Sequence, residues 1–404
     1  MRGLALLGLV LAIAGLPASS ASAAAPSGPL LTYAVAYLVD QVGGEGGLCA
    51  TDPAGHAFRV SDPQDDAEPA WSPDGRLIAF EREATRDPMA PGNIFDIFVT
   101  DAQGRHRRNV TRFGGGNLNY GPSWSPNGTK LAFFGAWYGG GIRIVNVDGT
   151  GATEVVGVGY PGSIGSPSWS PDGQRLLYGS VRGAHPSAVY VVDIDGKNET
   201  KLIDSAASPV WSPDGEHIAY LAVQGQEASV AVANADGSNQ RLLTSAAESL
   251  FGRLDWSPDG SWIGFSRHPG ASFQLMLIRP DGSDEHPAPT GGLQAYDPAW
   301  RPAGALPTHR RPCLVRGTSK NDVLVGTDRG DLMVGGKGND LLRGRGGDDV
   351  LVGGSGHDRL EGGRGDDVFV TADEARDYVF GGPGKDSAVI DHADRLGSIE
   401  YRYH

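Results

Sequence analysis

Two cysteines, Cys49 and Cys313, are all that 404 residues contain. That excludes a disulfide-built scaffold and leaves either one bond in an oxidising compartment or two buried thiols. Positive charge is scarce as well: 34 Lys and Arg against 48 Asp and Glu give −14 at neutral pH. Phosphate backbones are bound by concentrated Lys and Arg, so no nucleic acid partner is expected, and cations are the expected charged partners. After the first two dozen residues no apolar run approaches the roughly 20 that a membrane helix needs, so the mature chain is expected to lack a transmembrane segment. Catalytic signatures are missing too. No G-x-S-x-G elbow with Asp and His downstream occurs, nor any H-E-x-x-H pair.

What the N-terminus does have is a basic start, a short apolar run and an A-S-A end, in "MRGLALLGLVLAIAGLPASSASA". This order reads as a cleaved secretion signal over 1–24, with a retained anchor as the alternative. A secreted, extracellular protein is the resulting expectation.

Glycine is plentiful, and two different periods organise it. The first unit is "AWSPDGRLIAF" at 70–80, which returns from Ser123, Ser168, Val210 and Asp255 and, decayed to "AWRPAGALP", from Ala299. In the five intact units the Pro presets a turn, the Asp or Asn tolerates its next position and the Gly accepts a positive φ, so W-S-P-D-G joins two strands. A second apolar run and second turn follow, as in "AVYVVDIDGKN", which makes four short strands per unit with no helix between them. Repeats of about 42 to 53 residues built this way are propeller blades.

The sixth unit lacks its later strands after Trp300, while "TYAVAYLVDQ" and "GGLCATDPAG" supply two strands with no Trp turn before them. The N-terminal strands are therefore expected to complete the sixth blade, which removes the open sheet edges. Cys49 then lies in that composite blade and Cys313 just after its other half, where a bond would clamp the closure. These turns resemble the TolB-like propeller family over roughly 30–305, a resemblance that implies protein–protein contacts. The tryptophans Trp71, Trp124, Trp169, Trp211, Trp256 and Trp300 are read as blade-to-blade packing in preference to a ligand ring. "DIDGKN" at 193–198 has calcium-loop spacing, but its equivalents lack the first carboxylate, so a hairpin turn is expected. The non-repeated "REATRDPMAPGNIFD" (82–96) and "FGAWYGGG" (134–141) are the better leads to a binding face.

A linker at 306–316 separates this region from a second period of nine. Asp322, Asp331, Asp340, Asp349, Asp358 and Asp367 recur in register, each followed two places later by Leu324, Met333, Leu342, Leu351, Leu360 or Phe369. A helix is excluded, because each Gly costs it about 1 kcal/mol and nine residues put successive apolar positions on opposite faces. A random glycine linker does not explain the register.

The repeat resembles the hemolysin-type, repeats-in-toxin (RTX) family over about 317–390 and implies a parallel β-roll of eighteen-residue coils. Carboxylates stacked coil on coil repel, and Ca²⁺ accepts their oxygens together with glycine carbonyls. By this register Asp340 pairs with Asp358 and Asp349 with Asp367, framed by Gly335, Gly336, Gly338, Gly353, Gly354, Gly356, Gly362, Gly363 and Gly365. Asp322 and Asp331, in "GTSKND" and "GTDRGD", are weaker ligands or caps. One extra residue in "TADEARD" puts Asp377 and Asp386 out of step, and the tail is expected to cover the open end.

The sequence thus predicts an all-β, non-enzymatic protein: a six-bladed β-propeller followed by a small parallel β-roll (317–404) folded by Ca²⁺. Its propeller is read as a platform for a protein or a cell-surface glycan. The alternative is a carbohydrate-active hydrolase or lyase seated on the propeller with structural calcium, against which stands the lack of a nameable acid/base pair.

Overall fold

The computed structural model describes residues 31–403 apart from 40–41, 52–56, 62–65, 84–94, 103, 113–117, 136–139, 158–161, 183–185, 246–249, 270–272, 291–293 and 303–311. The expected secretion signal, most of the 82–96 insertion, the centre of "FGAWYGGG" and much of the linker lie outside the described residues. Among those described, every regular element is a strand, and no helix is long and apolar enough to cross a membrane.

Six antiparallel sheets form the propeller. Five are continuous in sequence, over 66–109, 119–157, 162–204, 206–242 and 250–287. The third has its first strand split into Gly162–Ile164 and Ser168–Trp169. The sixth is composite: Gln294–Trp300 pairs with Leu31–Val39, which is followed in the sheet by Val42–Thr51 and Ala57–Arg59. The N-terminus therefore supplies three strands, one more than the sequence pattern showed; Ala57–Arg59 is too short to carry an alternation of its own. The first strands touch in a closed ring, the sixth against the first.

One tryptophan per blade seals each junction. Trp124 sits among Ala70, Ala79 and Val99 of the blade before it, and its indole N–H donates to the Ala70 carbonyl at 2.9 Å. Trp71 does the same across the closure, donating to Thr32 Oγ1 at 2.8 Å. Trp169, Trp211 and Trp256 lie buried between their own blade and the preceding one. In the decayed sixth turn Arg301 replaces the serine, and it donates from Nε to the Gly75 carbonyl at 2.8 Å while lying over the Trp71 ring. The departure from the motif thus serves the closure.

Past Pro312, which bridges to Phe58 of the sixth blade, the chain winds into a parallel roll. Its first strand, Val315–Arg316, already lies within the expected linker. Strands alternate between two sheets, and residues pair at offsets of eighteen: Leu332 with Val350, Val350 with Val368, Leu341 with Arg359. Met333, Leu342, Leu351, Leu360 and Phe369 fill the interior with no exposure, and Leu324 packs at its edge. The extra residue after Phe369 is absorbed in a turn, since Val368 pairs with Ser387 and Arg359 with Tyr378, offsets of nineteen.

The two sheets differ outside. One carries Leu332, Val350, Val352 and Val370 outward, and these pack on Leu31, Leu275, Leu277 and Ala295 of the fifth and sixth blades. The other presents Val323, Arg343, Arg359, Glu361, Tyr378 and Phe380 to solvent or to one another. Cys49 and Cys313 are bonded inside the first contact, and Arg59 donates to the Cys313 carbonyl. Closing a loop of 264 residues stabilises the fold by about 5 kcal/mol in the chain-entropy account.

Candidate functional site

The roll places its aspartates in two ladders, one along each edge. Asp322, Asp340, Asp358 and Asp377 form one; Asp331, Asp349, Asp367 and Asp386 form the other. At each rung the backbone N–H of one Asp donates to the carboxylate one coil on: Asp322 to Asp340 and Asp340 to Asp358, both at 2.7 Å. Asp331 donates to Asp349 at 2.7 Å and Asp349 to Asp367 at 2.9 Å. The pairs read from the sequence thus stand on adjacent coils of one edge. Asp377 and Asp386, out of step in sequence, continue the ladders by accepting from Asp358 and Asp367.

Each such bond uses one oxygen. The other, Oδ2 of Asp340, Asp349, Asp358, Asp367, Asp377 and Asp386, is buried without a hydrogen-bond partner. A buried carboxylate oxygen left unmatched is costly, so something else is expected to meet it. Burial pushes Asp349 up to about 9, Asp377 to about 8 and Asp367 to about 7, with neighbouring carboxylates adding to the rise. Without a cation the ladders therefore compete for protons.

The glycines define the space beside these oxygens. A Cβ at Gly335 would collide with Asp340 Oδ2 and the Gly353 carbonyl. At Gly353 and Gly362 it would collide with Asp358 and Asp367 Oδ2. Gly336, Gly338, Gly354, Gly356, Gly363 and Gly365 run at positive φ, up to +133 at Gly356, turning the backbone inward. Carboxylate and carbonyl oxygens around a gap that only glycine leaves form the donor set that calcium takes.

Gly344 was missed in the sequence. Its Cβ would collide with Asp349 Oδ2 and the Gly362 carbonyl, an arrangement legible from its nine-residue offset to Gly335. "GRGGDD" hides it by placing Arg345, at φ +85, where the hexads from 335, 353 and 362 have glycine. The first two hexads differ in kind. Thr318 donates its N–H and hydroxyl to Asp322 Oδ2 at 2.7 and 2.8 Å, and Thr327 does likewise for Asp331 at 2.6 and 2.8 Å. These hydrogen bonds hold Asp322 below the usual carboxylate range and satisfy the oxygen that later coils leave bare.

The propeller offers a second recess, a cavity of about 180 Å³ at the channel formed by the first strands. The residue three places before each blade's Trp supplies a ring: Glu68, Gly121, Ser166, Ser208, Arg253 and Asp297. Glu68 accepts from Ser166 Oγ at 3.0 Å, and Arg253 donates to the Pro122 carbonyl at 2.9 Å, crossing between blades. Loss of water, then the Asp297 carboxylate, pushes Glu68 up to about 7. The ring is in register with the Trp motif, three places before it, but its members share no residue type that would mark them as a repeat.

Other candidates are turns. In "DIDGKN" the Asp195 carboxylate accepts from the Lys197 N–H and Asp193 from Asn198, all exposed. Asp214, Glu216 and His217 cluster in one W-S-P-D-G turn, where Asp214 is already engaged by Ser212 and the Glu216 N–H.

A closed six-blade ring followed by a parallel roll of aspartate ladders defines a propeller protein with a calcium-repeat appendage. Residues 68–304 match the TolB beta propeller domain, so the chain belongs to that family. Residues 316–388 match the RTX calcium-binding nonapeptide repeat in overlapping segments. TolB from Acinetobacter baumannii superposes with a TM-score of 0.56 at 21% identity, covering 68% of this chain and 67% of that one. A TolB described as putative, from Agrobacterium tumefaciens, gives 0.50 at 18%, covering 69% and 99%. An oligogalacturonate lyase from Vibrio parahaemolyticus gives a TM-score of 0.39 at 12% identity over 65% and 73%, too low to bear on fold or activity. A comparison with curated proteins gave no match.

Proposed function

We propose that this is a secreted, non-enzymatic calcium-binding protein whose roll is folded by Ca²⁺ and whose propeller is an interaction platform. The observation that carries the calcium reading is the pair of ladders of buried Asp carboxylates, each rung from Asp340 onward with one oxygen unpartnered. Calcium is held between coils by Asp340 with Asp358 and by Asp349 with Asp367, the glycine carbonyls completing each shell. Asp322 and Asp331 begin the roll as weaker ligands or caps, their Oδ2 held by Thr318 and Thr327 while Asp331 Oδ1 stays buried without a partner. Extracellular calcium modules work at about 10⁻⁴ to 10⁻³ M, which suits a protein carrying an N-terminal secretion signal.

The platform reading is supported by the TolB family and by the polar channel ring, where Glu68, Asp297 and Arg253 offer charge in a recess; a protein or a cell-surface glycan is the partner class. Circular dichroism of the full chain, titrated with Ca²⁺ after chelation, tests the calcium reading. Strand signal is gained at millimolar calcium, and an unchanged spectrum together with no bound calcium contradicts it.

A further inference from the structure

We infer that the C-terminal tail, beyond the nonapeptides, completes one more calcium site, held by Asp386, the Ser398 carbonyl and Glu400. The inference rests on the calcium reading above and extends it to Ser398 and Glu400, which lie beyond the matched repeats ending at 388.

After Asp386 the chain runs through Ser387–Val389 and Arg395–Gly397 and returns as Tyr401–Tyr403, in parallel beside Ser387–Val389. Phe380 pairs with Gly397 and Ser387 with Tyr401, so Ser398–Ile399–Glu400 stands where a six-residue hexad would. The turn is three residues shorter, and a longer side chain spans the difference. Glu400 Oε2 accepts from the Asp386 N–H at 2.7 Å, the bond that an Asp Oδ1 makes in the preceding coils.

A plain cap accounts for that hydrogen bond and for Ile399, which is buried at the end of the interior. It does not account for Asp386 Oδ2. Asp386 is fully buried, and that oxygen has no hydrogen-bond partner. The gap left by Gly381 is flanked by Asp386 Oδ2 and the Ser398 carbonyl, the same atom types that flank the gap at Gly344. Ser398 holds φ +52, the sense of rotation that glycines give in the full hexads. Asp386 Oδ2 and the Ser398 carbonyl meet at that gap, and the exposed Glu400 carboxylate, held on the Asp386 N–H, stands beside them; all are hard oxygen donors, and a divalent cation removes the repulsion between Asp386 and Glu400.

The test is the number of calcium ions bound per full chain at saturation, by equilibrium dialysis, for the wild type, Asp386→Asn and Glu400→Gln. Glutamine keeps an acceptor for the Asp386 N–H, so the cap persists while the charge is lost. Asp386→Asn, which also removes charge from the rung shared with Asp367, is expected to bind at least one ion fewer. Glu400→Gln is expected to weaken one ion by at least about tenfold, leaving the others and the chelated unfolding profile unchanged. Wild-type stoichiometry and affinity in both variants overturn the inference, as does an Asp386→Asn chain that loses every ion beside an unaltered Glu400→Gln. A wild-type chain that binds no calcium overturns this inference and the calcium reading together.

Discussion

Both halves of the molecule repeat an aspartate in a glycine-containing turn, and they use it in opposite ways. In the propeller, Asp74 accepts from the Ser72 hydroxyl at 2.7 Å and the Arg76 N–H at 3.1 Å, and the serine bond holds its carboxyl below the usual range. Asp172 repeats this with Ser170 and the Gln174 N–H. These turns complete themselves. In the roll the carboxylate accepts from the preceding coil with one oxygen and leaves the other over, so the turn is complete only with a partner from outside. The difference lies in the companion residue. Serine two places before the Asp closes the propeller turn, Thr318 and Thr327 engage Oδ2 of Asp322 and Asp331 in the first two hexads, and glycine leaves that oxygen bare in the later ones.

The largest break in this comparison is expected where the halves meet. Val352→Asp puts a charge into the contact with the fifth and sixth blades, where Val352 is fully buried, and should cost several kcal/mol in thermal unfolding. Val325→Asp, on the open sheet and 41% exposed, should change stability by at most about 0.5 kcal/mol.

Next in size, Asp340→Ala should weaken calcium on its own edge at the site shared with Asp358. The Asp349 edge should stay largely intact, as read by calcium titration of the full chain. By contrast Asp74→Ala removes a turn that needs no ion. It should cost about 1 kcal/mol and leave the calcium titration unchanged.

The smallest effect concerns pH. Glu68 titrates near 7 in the folded propeller against an ordinary 4.5, so the folded state binds its proton more tightly than the unfolded chain does. Propeller stability from this group is therefore full below about 4.5 and falls as pH rises through 7. Glu68→Gln should flatten that slope in melting curves between pH 5 and 8; an unchanged slope assigns it elsewhere.

Much of this was legible in the sequence because periodicity is a direct print of repeated structure. Six Trp turns gave the blade number, and the nine-residue register put Met333, Leu342, Leu351, Leu360 and Phe369 in one interior. What escaped had a different period or none. The docking face shows only at eighteen residues, where "DLMV", "DVLV" and "DVFV" alternate with "DLLR", "DRLE" and "DYVF". A search for one apolar residue per nonapeptide averages that alternation away. The bulged turn that returns Asp377 and Asp386 to their ladders depends on backbone geometry, which a count of residues reads as lost register. The Glu400 rung was invisible because a glutamate in a shortened turn matches no consensus.

Differential scanning calorimetry of the full chain, in millimolar calcium and then in chelator, tests most directly the claim that side chains build the propeller and calcium builds the roll. The account predicts a transition present only with calcium, rising in temperature with its concentration, beside a propeller transition that persists in chelator. Identical profiles in the two conditions would contradict it.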